Sequence, residues 1–342
     1  FETGNVGSWS WSTRPRTAVT TCYQTVTTDA YLANDLICDS GGFEWVGVEL
    51  GASNIFLDLN GHSISGHVGG IGVRAMNVDG VTIKNGTIKE YSVGMDIVYS
   101  DGATVRDLYI NELIEDDPQW FRMGMRITTS QDVLVRDSFF EFLRVAHKEA
   151  IVVATADVTI DNIEVKNASV GVNDGGACDD VLPRSSGTVV NSRFVEVNIS
   201  GVLAQCTNNA LITENEFDNN EMGIDVYGPD DTTIVGLTIE GNYIHDCFLG
   251  IKFHGNTDCS ILNNVVRDNF QFGINLTKNH LCPEVHEPGC FYATRNLISG
   301  NEVTGSFIDL YHHELATGNT WTGNTCLTKE GTEIPACTPP GP

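Results

Sequence analysis

Apolar and polar residues alternate in short runs along most of this chain, and the runs recur. One set reads Gly94-Met95-Asp96-Ile97, Gly124-Met125-Arg126-Ile127, Gly201-Val202-Leu203-Ala204, Gly223-Ile224-Asp225-Val226, Gly250-Ile251-Lys252-Phe253 and Gly273-Ile274-Asn275-Leu276. Alternation with period two predicts strands with one buried face. The leading Gly marks a turn or a place where backbones pack closely. A second set of short strands ends in Asn or Asp, at Asn60, Asn85, Asp107, Asp137, Asn162, Asn191, Asn215, Asn242 and Asn264. The intervals between these positions are 25, 22, 30, 25, 29, 24, 27 and 22 residues. A period in the twenties predicts a solenoid in which each coil contributes a rung. Helical spacing is confined to a short segment near 141–148, where a helix is expected.

Rungs in such a coil stack about 4.7–4.9 Å apart, so side chains at equivalent positions form columns. Apolar columns close into a narrow core. A column of Asn is expected to bond through its carboxamides from rung to rung, which makes it structural rather than catalytic.

These repeats, with the opening Asp58-Leu59-Asn60-Gly61-His62-Ser63-Ile64-Ser65-Gly66, resemble the right-handed parallel β-helix proteins of the pectate-lyase-like superfamily over residues 45–326. The resemblance implies an all-β solenoid of about ten rungs. It says little about function, since lyases, epimerases, hydrolases, adhesins and inert fibres share the fold. Residues 1–44 are expected to be an N-terminal arm and cap, with 21–40 a strand pair pinned by Cys22 and Cys38. Residues 327–342 read as a disulfide loop and Pro-rich tail. The arm, with Trp9 and Trp11, would protect the first rung or dock on another subunit, so self-association through 1–20 is an expectation.

The ten cysteines pair most simply in chain order, because stacked rungs bring neighbours together: Cys22 with Cys38, Cys178 with Cys206, Cys247 with Cys259, Cys282 with Cys290 and Cys326 with Cys337. Five disulfides imply a secreted, extracellular protein. The first residues show no charged-then-apolar leader, so a signal peptide is expected to have been removed or to lie outside this sequence. No apolar run approaches the roughly 20 residues of a membrane span. A net charge of −26 makes nucleic acid and anionic membrane surfaces poor partners. No zinc-like or calcium-repeat motif appears; abundant acids leave calcium as a candidate cofactor. Sequons occur at Asn85, Asn167, Asn198 and Asn275.

The outward column of the Gly-led strands is expected to run Arg74, Asp96, Arg126, Val152, Asn173, Leu203, Asp225, Lys252, Asn275 and Asp309. A second runs two residues further on, through Thr128, Ala154, Gln205, Tyr227, His254, Thr277 and Tyr311. Chemistry concentrates toward the C-terminal end. Tyr227 and His254 should be one rung apart, as should Asp225 and Lys252. A base, an acid and a cation over one groove suit proton abstraction beside a carboxylate. Tyr227, Lys252, His254, Asp225 and Tyr311 are therefore the candidate catalytic residues, with Asn275, Asp309, His312 and His313 as candidate substrate-binding residues. A uronate-containing polysaccharide is the expected partner, and lyase or epimerase the expected reaction.

The alternative is a non-catalytic scaffold that binds carbohydrate, adheres or forms fibres; Trp120 and Phe121 could serve it. Glycoside hydrolysis comes third. Asn256-Thr257-Asp258, Asp179-Asp180 and Asp230-Asp231 resemble fragments of the polygalacturonase pattern, in another order. Asp225 and Asp309, three rungs apart, would stand about 14 Å from each other, beyond the ~5–9.5 Å of paired glycosidase carboxylates.

Overall fold

The computed structural model describes residues 15–38, 45–66, 69–111, 122–142, 148–175, 185–205, 207–227, 234–278, 292–331 and 333–339. These residues form a parallel β-solenoid. One face, here the front sheet, stacks thirteen strands from Gln24–Val26 to Lys329–Glu330. The other two faces, the flanks, count as one sheet because Thr82–Lys89 and Thr104–Asn111 each run through both. Every strand pairing in the three faces is parallel; one isolated antiparallel bridge joins Lys278 to Tyr292. The described residues contain no helix. Glu141 and Lys148, in the segment expected to be helical, belong to the strands Phe139–Glu141 and Lys148–Ala154.

The ladder extends past the expected 45–326 at both ends. Thr17–Val19 pairs with Ala30–Leu32, and Leu36–Ile37 pairs with Ser63–Ser65, so residues expected to form a separate cap already lie in the coil. Lys329 and Glu330 pair with Leu310 and Tyr311 at the far end. Most of the arm 1–20, together with Trp120 and Phe121, lies outside the described residues.

Alternation works as the pattern demands. Ile224 and Val226 are fully buried, as are Ile251 and Phe253 on the next rung and Ile274 and Leu276 on the one after. Each such side chain contributes roughly 1.5–3 kcal/mol by leaving water. The glycines ahead of them serve close packing: a Cβ on Gly250 would lie 2.4 Å from the carbonyl oxygen of Gly273, and one on Gly171 2.3 Å from that of Gly201.

The Asn column proves to be two columns. Asn60, Asn85, Asp107, Asp137, Asn162 and Asn191 occupy the sharp corner between the flanks with φ of 49–64°, a left-handed conformation that Asn and Asp tolerate. From the next rung on, Glu214, Gly241, Asn263 and Gly300 hold that corner, and the Asn steps one place inward. Asn215, Asn242, Asn264, Asn301 and Asn324 are buried and form the ladder: Asn242 Nδ2 donates to Asn264 Oδ1 at 3.0 Å, and Asn264 Nδ2 to Asn301 Oδ1 at 3.0 Å. In the rungs before Asn215, Ser138 and Ser192 take part of this role, accepting from the backbone N–H of Leu108 and Ile163.

Disulfides join Cys22 to Cys38 and Cys326 to Cys337. The expected Cys247–Cys259 bridge is absent; both are free, buried thiols. Cys247 stands between Asn220 and Asn269 at the corner leading into the front sheet, while Cys259 precedes Asn296 and Asn319 at the corner leading out of it. Though near in sequence, they occupy different corners of the coil. Burial pushes both thiols up to about 12, which leaves them unreactive. Cys178, Cys206, Cys282 and Cys290 lie outside the described residues.

Candidate functional site

Register along the front sheet places the outward side chains. Asp225 is opposite Lys252, Lys252 opposite Asn275, and Asn275 opposite Tyr311; in the second column Tyr227 is opposite His254 and His254 opposite Thr277. The two expected neighbouring pairs are thus formed. His254 also reaches diagonally between columns: its Nε2 is 3.2 Å from Asp225 Oδ1, within ion-pair range but off the angle of a hydrogen bond. The Tyr227 ring meets the His254 ring edge-on at 5.7 Å. Although on the outer face, Asp225, His254 and Asn275 are only 8%, 5% and 6% exposed. The Lys252 ammonium, half-buried, has no carboxylate within 4 Å among the described residues. Asn275 Oδ1 is buried without a hydrogen-bond donor among them, and its burial closes that sequon to a glycan in the folded chain.

Three expectations at the end of the column need correction. Asp309 is fully buried, at the position that Gly273 holds one rung earlier, and accepts from the backbone N–H groups of Ser306, Leu327 and Thr328. Its work is to tie down the last coil, and the separation expected between Asp225 and Asp309 loses its meaning for hydrolysis. Tyr311 therefore stands in the first column rather than the second. Burial, with Glu330 and Glu314 nearby, holds its hydroxyl above the usual tyrosine value. His312, paired with the core residue Leu276, points inward; it hydrogen-bonds Asn319 at 3.0 Å and packs edge-on against Trp321. Burial lowers its basicity.

His313 does reach the outer face. Its N–H donates to Leu276 O, its ring lies 5.5 Å from that of Tyr292, and burial together with the nearby Lys278 lowers its basicity. Tyr292 and Lys278 escaped the repeat pattern because they flank a stretch without rung periodicity.

The other grouping missed in the sequence lies on a flank. Glu216, Asp218 and His245, outward on two adjacent strands, bring one ligand atom each within 4.8 Å of one another. Period-two alternation of Glu216-Phe217-Asp218 and Tyr243-Ile244-His245 would have shown it. Arg193 already occupies this cluster, 3.1 Å from Glu216 and 3.0 Å from Asp218. Burial opposes the His245 charge, but Asp246, Glu216 and Asp218 prevail and raise its basicity.

Among solved structures, the A-modules of two mannuronan C-5 epimerases of Azotobacter vinelandii, AlgE4 and AlgE6, are similar to this chain. The first has a TM-score of 0.62 at 14% identity, covering 92% of this chain and 91% of that one; the second has 0.63 at 14%, covering 92% and 88%. PfbA, a surface adhesin of Streptococcus pneumoniae, gives 0.61 at 12%, covering 89% and 83%. At these identities the likeness is one of fold. No curated protein matches the chain. A family model described as right handed beta helix region matches residues 181–333, and one described as periplasmic copper-binding protein (NosD) matches residues 58–236, more than half of the chain. The protein is a right-handed parallel β-helix and belongs to the family of periplasmic copper-binding protein (NosD).

Proposed function

We propose that the front sheet around Asp225, Tyr227, Lys252 and His254 binds a uronate-containing polysaccharide and removes the proton beside its carboxylate. The observation that carries this reading is the diagonal Asp225–His254 contact of 3.2 Å on the outer face, with Tyr227 against the imidazole and Lys252 in register with Asp225. The epimerase modules of similar fold add support.

Asp225, 3.2 Å from the imidazole, holds His254 in place to take up the proton. As the C–H bond breaks, its electron pair moves into the sugar carboxylate. Lys252 and Asn275, adjacent in one column, face that developing charge. In an elimination the pair then forms a C=C bond, the bond to the neighbouring sugar oxygen breaks, and Tyr227 or Tyr311 protonates that oxygen. In an epimerisation the carbon is reprotonated from the opposite face and the chain stays whole.

Copper, which the family name carries, does not fit the described residues. Cu(I) and blue-copper sites gather His nitrogens with Cys or Met sulfur, and Cu(II) takes nitrogen and oxygen ligands left free to close a square plane around it. Here the one three-ligand grouping has a single His and two carboxylates already held by Arg193, while the free thiols lie apart and buried. No step is assigned to it. The two disulfides support export to an oxidising compartment, periplasmic or extracellular.

The test is a panel of alginate, pectate and a glycosaminoglycan. Elimination is expected to produce the ultraviolet absorbance of an unsaturated uronate, epimerisation to place solvent deuterium on the sugar without cleavage. His254→Ala and Lys252→Ala should abolish either. Neither signal on any member would overturn the reading, and binding without chemistry would favour the adhesive alternative, which the adhesin of similar fold supports.

A further inference from the structure

Asp246, Asp268 and Gly305 turn the corner between a flank and the front sheet in the left-handed conformation. Two residues beyond each stands a phenylalanine: Phe248, Phe270 and Phe307. Backbone bonds from Phe248 to Asn220 O and from Phe270 to Cys247 O place the first two on successive rungs. The Phe248 and Phe270 rings stack at 5.5 Å and 20°. All three are open to solvent, at 41%, 76% and 77% exposed. Counted from the same left-handed corner, at Asn219 and Glu196, the two preceding rungs carry Glu221 and Asn198 instead. An aromatic strip of this kind on an acidic protein calls for an occupant.

A depression of about 370 Å³ adjoins the strip, lined by Phe248 and Phe270 together with Glu196, Asn198, Glu221 and Asp246. Carboxylates and carboxamides beside a flat aromatic surface present acceptors and donors to hydroxyl groups and a platform to the C–H face of a sugar ring. No basic residue lines the depression. Its carboxylates would repel a uronate and attract an amine. A self-association patch would be served by the rings alone and would gain nothing from burying these acids without partners.

We infer that this corner is a second carbohydrate subsite, distinct from the front-sheet groove, that takes pyranose residues without a carboxylate and prefers those bearing an amino group. It does not depend on the chemistry proposed for the front sheet.

Isothermal titration of the full chain with a glucosamine hexamer, cellohexaose and a galacturonate hexamer tests it. The glucosamine hexamer is expected to bind most tightly and cellohexaose more weakly. Phe270→Ala and Phe248→Ala should each weaken both about tenfold, leave galacturonate binding unchanged, and leave the melting temperature near wild type because the rings are exposed. Glu221→Gln should remove the preference for the amino sugar. Absence of binding by the two uncharged or amine-bearing hexamers, binding unaffected by the alanine substitutions, or equal weakening toward galacturonate would overturn the inference. So would light scattering that shows a dimer converted to monomer by Phe270→Ala with sugar binding intact.

Discussion

The outward column of the front sheet behaves differently at its two ends. In the N-terminal rungs the charges close on each other: Arg74 donates to Glu49 at 2.8 and 3.1 Å, and Arg126 grips Asp96 through two bonds of 2.8 and 2.7 Å. In the C-terminal rungs Asp225 turns to an imidazole in the other column, and Lys252 has no carboxylate within 4 Å among the described residues. The strands pair in parallel with the same alternation in both stretches, so within the described strands it is the side chains that distinguish them. A matched bidentate pair spends its hydrogen-bonding capacity internally and holds a sheet together. A Lys that meets no carboxylate among the described residues, beside a His–Asp contact, keeps that capacity for something else.

Substitution at the two ends breaks the comparison most sharply. His254→Ala or Lys252→Ala is expected to reduce turnover of a uronate polymer by about 10²–10⁴-fold, while Arg126→Ala changes it less than about twofold. Similar losses at both ends, in the absorbance or deuterium measurement, would erase the distinction.

Asp174 lies where the two stretches meet. It is buried, and burial with Asp157 nearby pushes its carboxyl up to about 7, the Thr207 and Ser185 hydroxyls offsetting part of the rise. The unfolded chain ionises near the ordinary 3.8, so it sheds the proton first as pH rises. Stability should therefore fall between about pH 4 and 7, by up to about 4 kcal/mol, and level off above. Denaturant melts of Asp174→Asn should lack this slope.

The ladders differ as well. Asn264→Ala removes the acceptor for the Asn242 N–H and side chain and the donor to Ile239 O. It should cost about 2–4 kcal/mol, against roughly 1 kcal/mol for Ser138→Ala in the N-terminal half. Among the charges, the smallest effect is expected for the Asp96–Arg126 pair. Asp96 is buried but Arg126 is 40% exposed, so a double-mutant cycle should give about 1–2 kcal/mol, diminishing with salt.

Counting from the column glycines was enough to find the neighbours at Asp225–Lys252 and Tyr227–His254, because period two and a fixed Gly position set the register. The same count failed at Asp309, where the last coil has Asp in the place of Gly and the register slips by two. That slip put Tyr311 in the wrong column and drew His312 from the expected rim of the groove into the strand, at an inward position beside Leu276. Asn60 and Asn264 looked equivalent in sequence, yet one turns a corner and the other bonds along the axis; Asn serves both purposes, and only its φ tells them apart. Cys247 and Cys259 were misassigned because proximity in sequence carries no information about which corner a residue occupies. The diagonal His254–Asp225 contact depends on side-chain rotamers and could not be read from columns.

The corner between the flanks is turned, rung after rung, by a single left-handed residue such as Asn85 or Asn263. Beside the front sheet the chain is far less frugal: the 14 residues 278–291 lie between Thr277 and Tyr292, whereas two, Asn85 and Gly86, lie between Lys84 and Thr87 at the tight corner. Length can therefore change beside the front sheet without altering the height of a rung, while a one-residue insertion at the tight corner would throw every column beyond it out of line. The coil thus confines variation in chain length to the borders of the face that carries the candidate site. A lineage of such proteins could change what it grips by lengthening those borders, and inherit the stack unaltered.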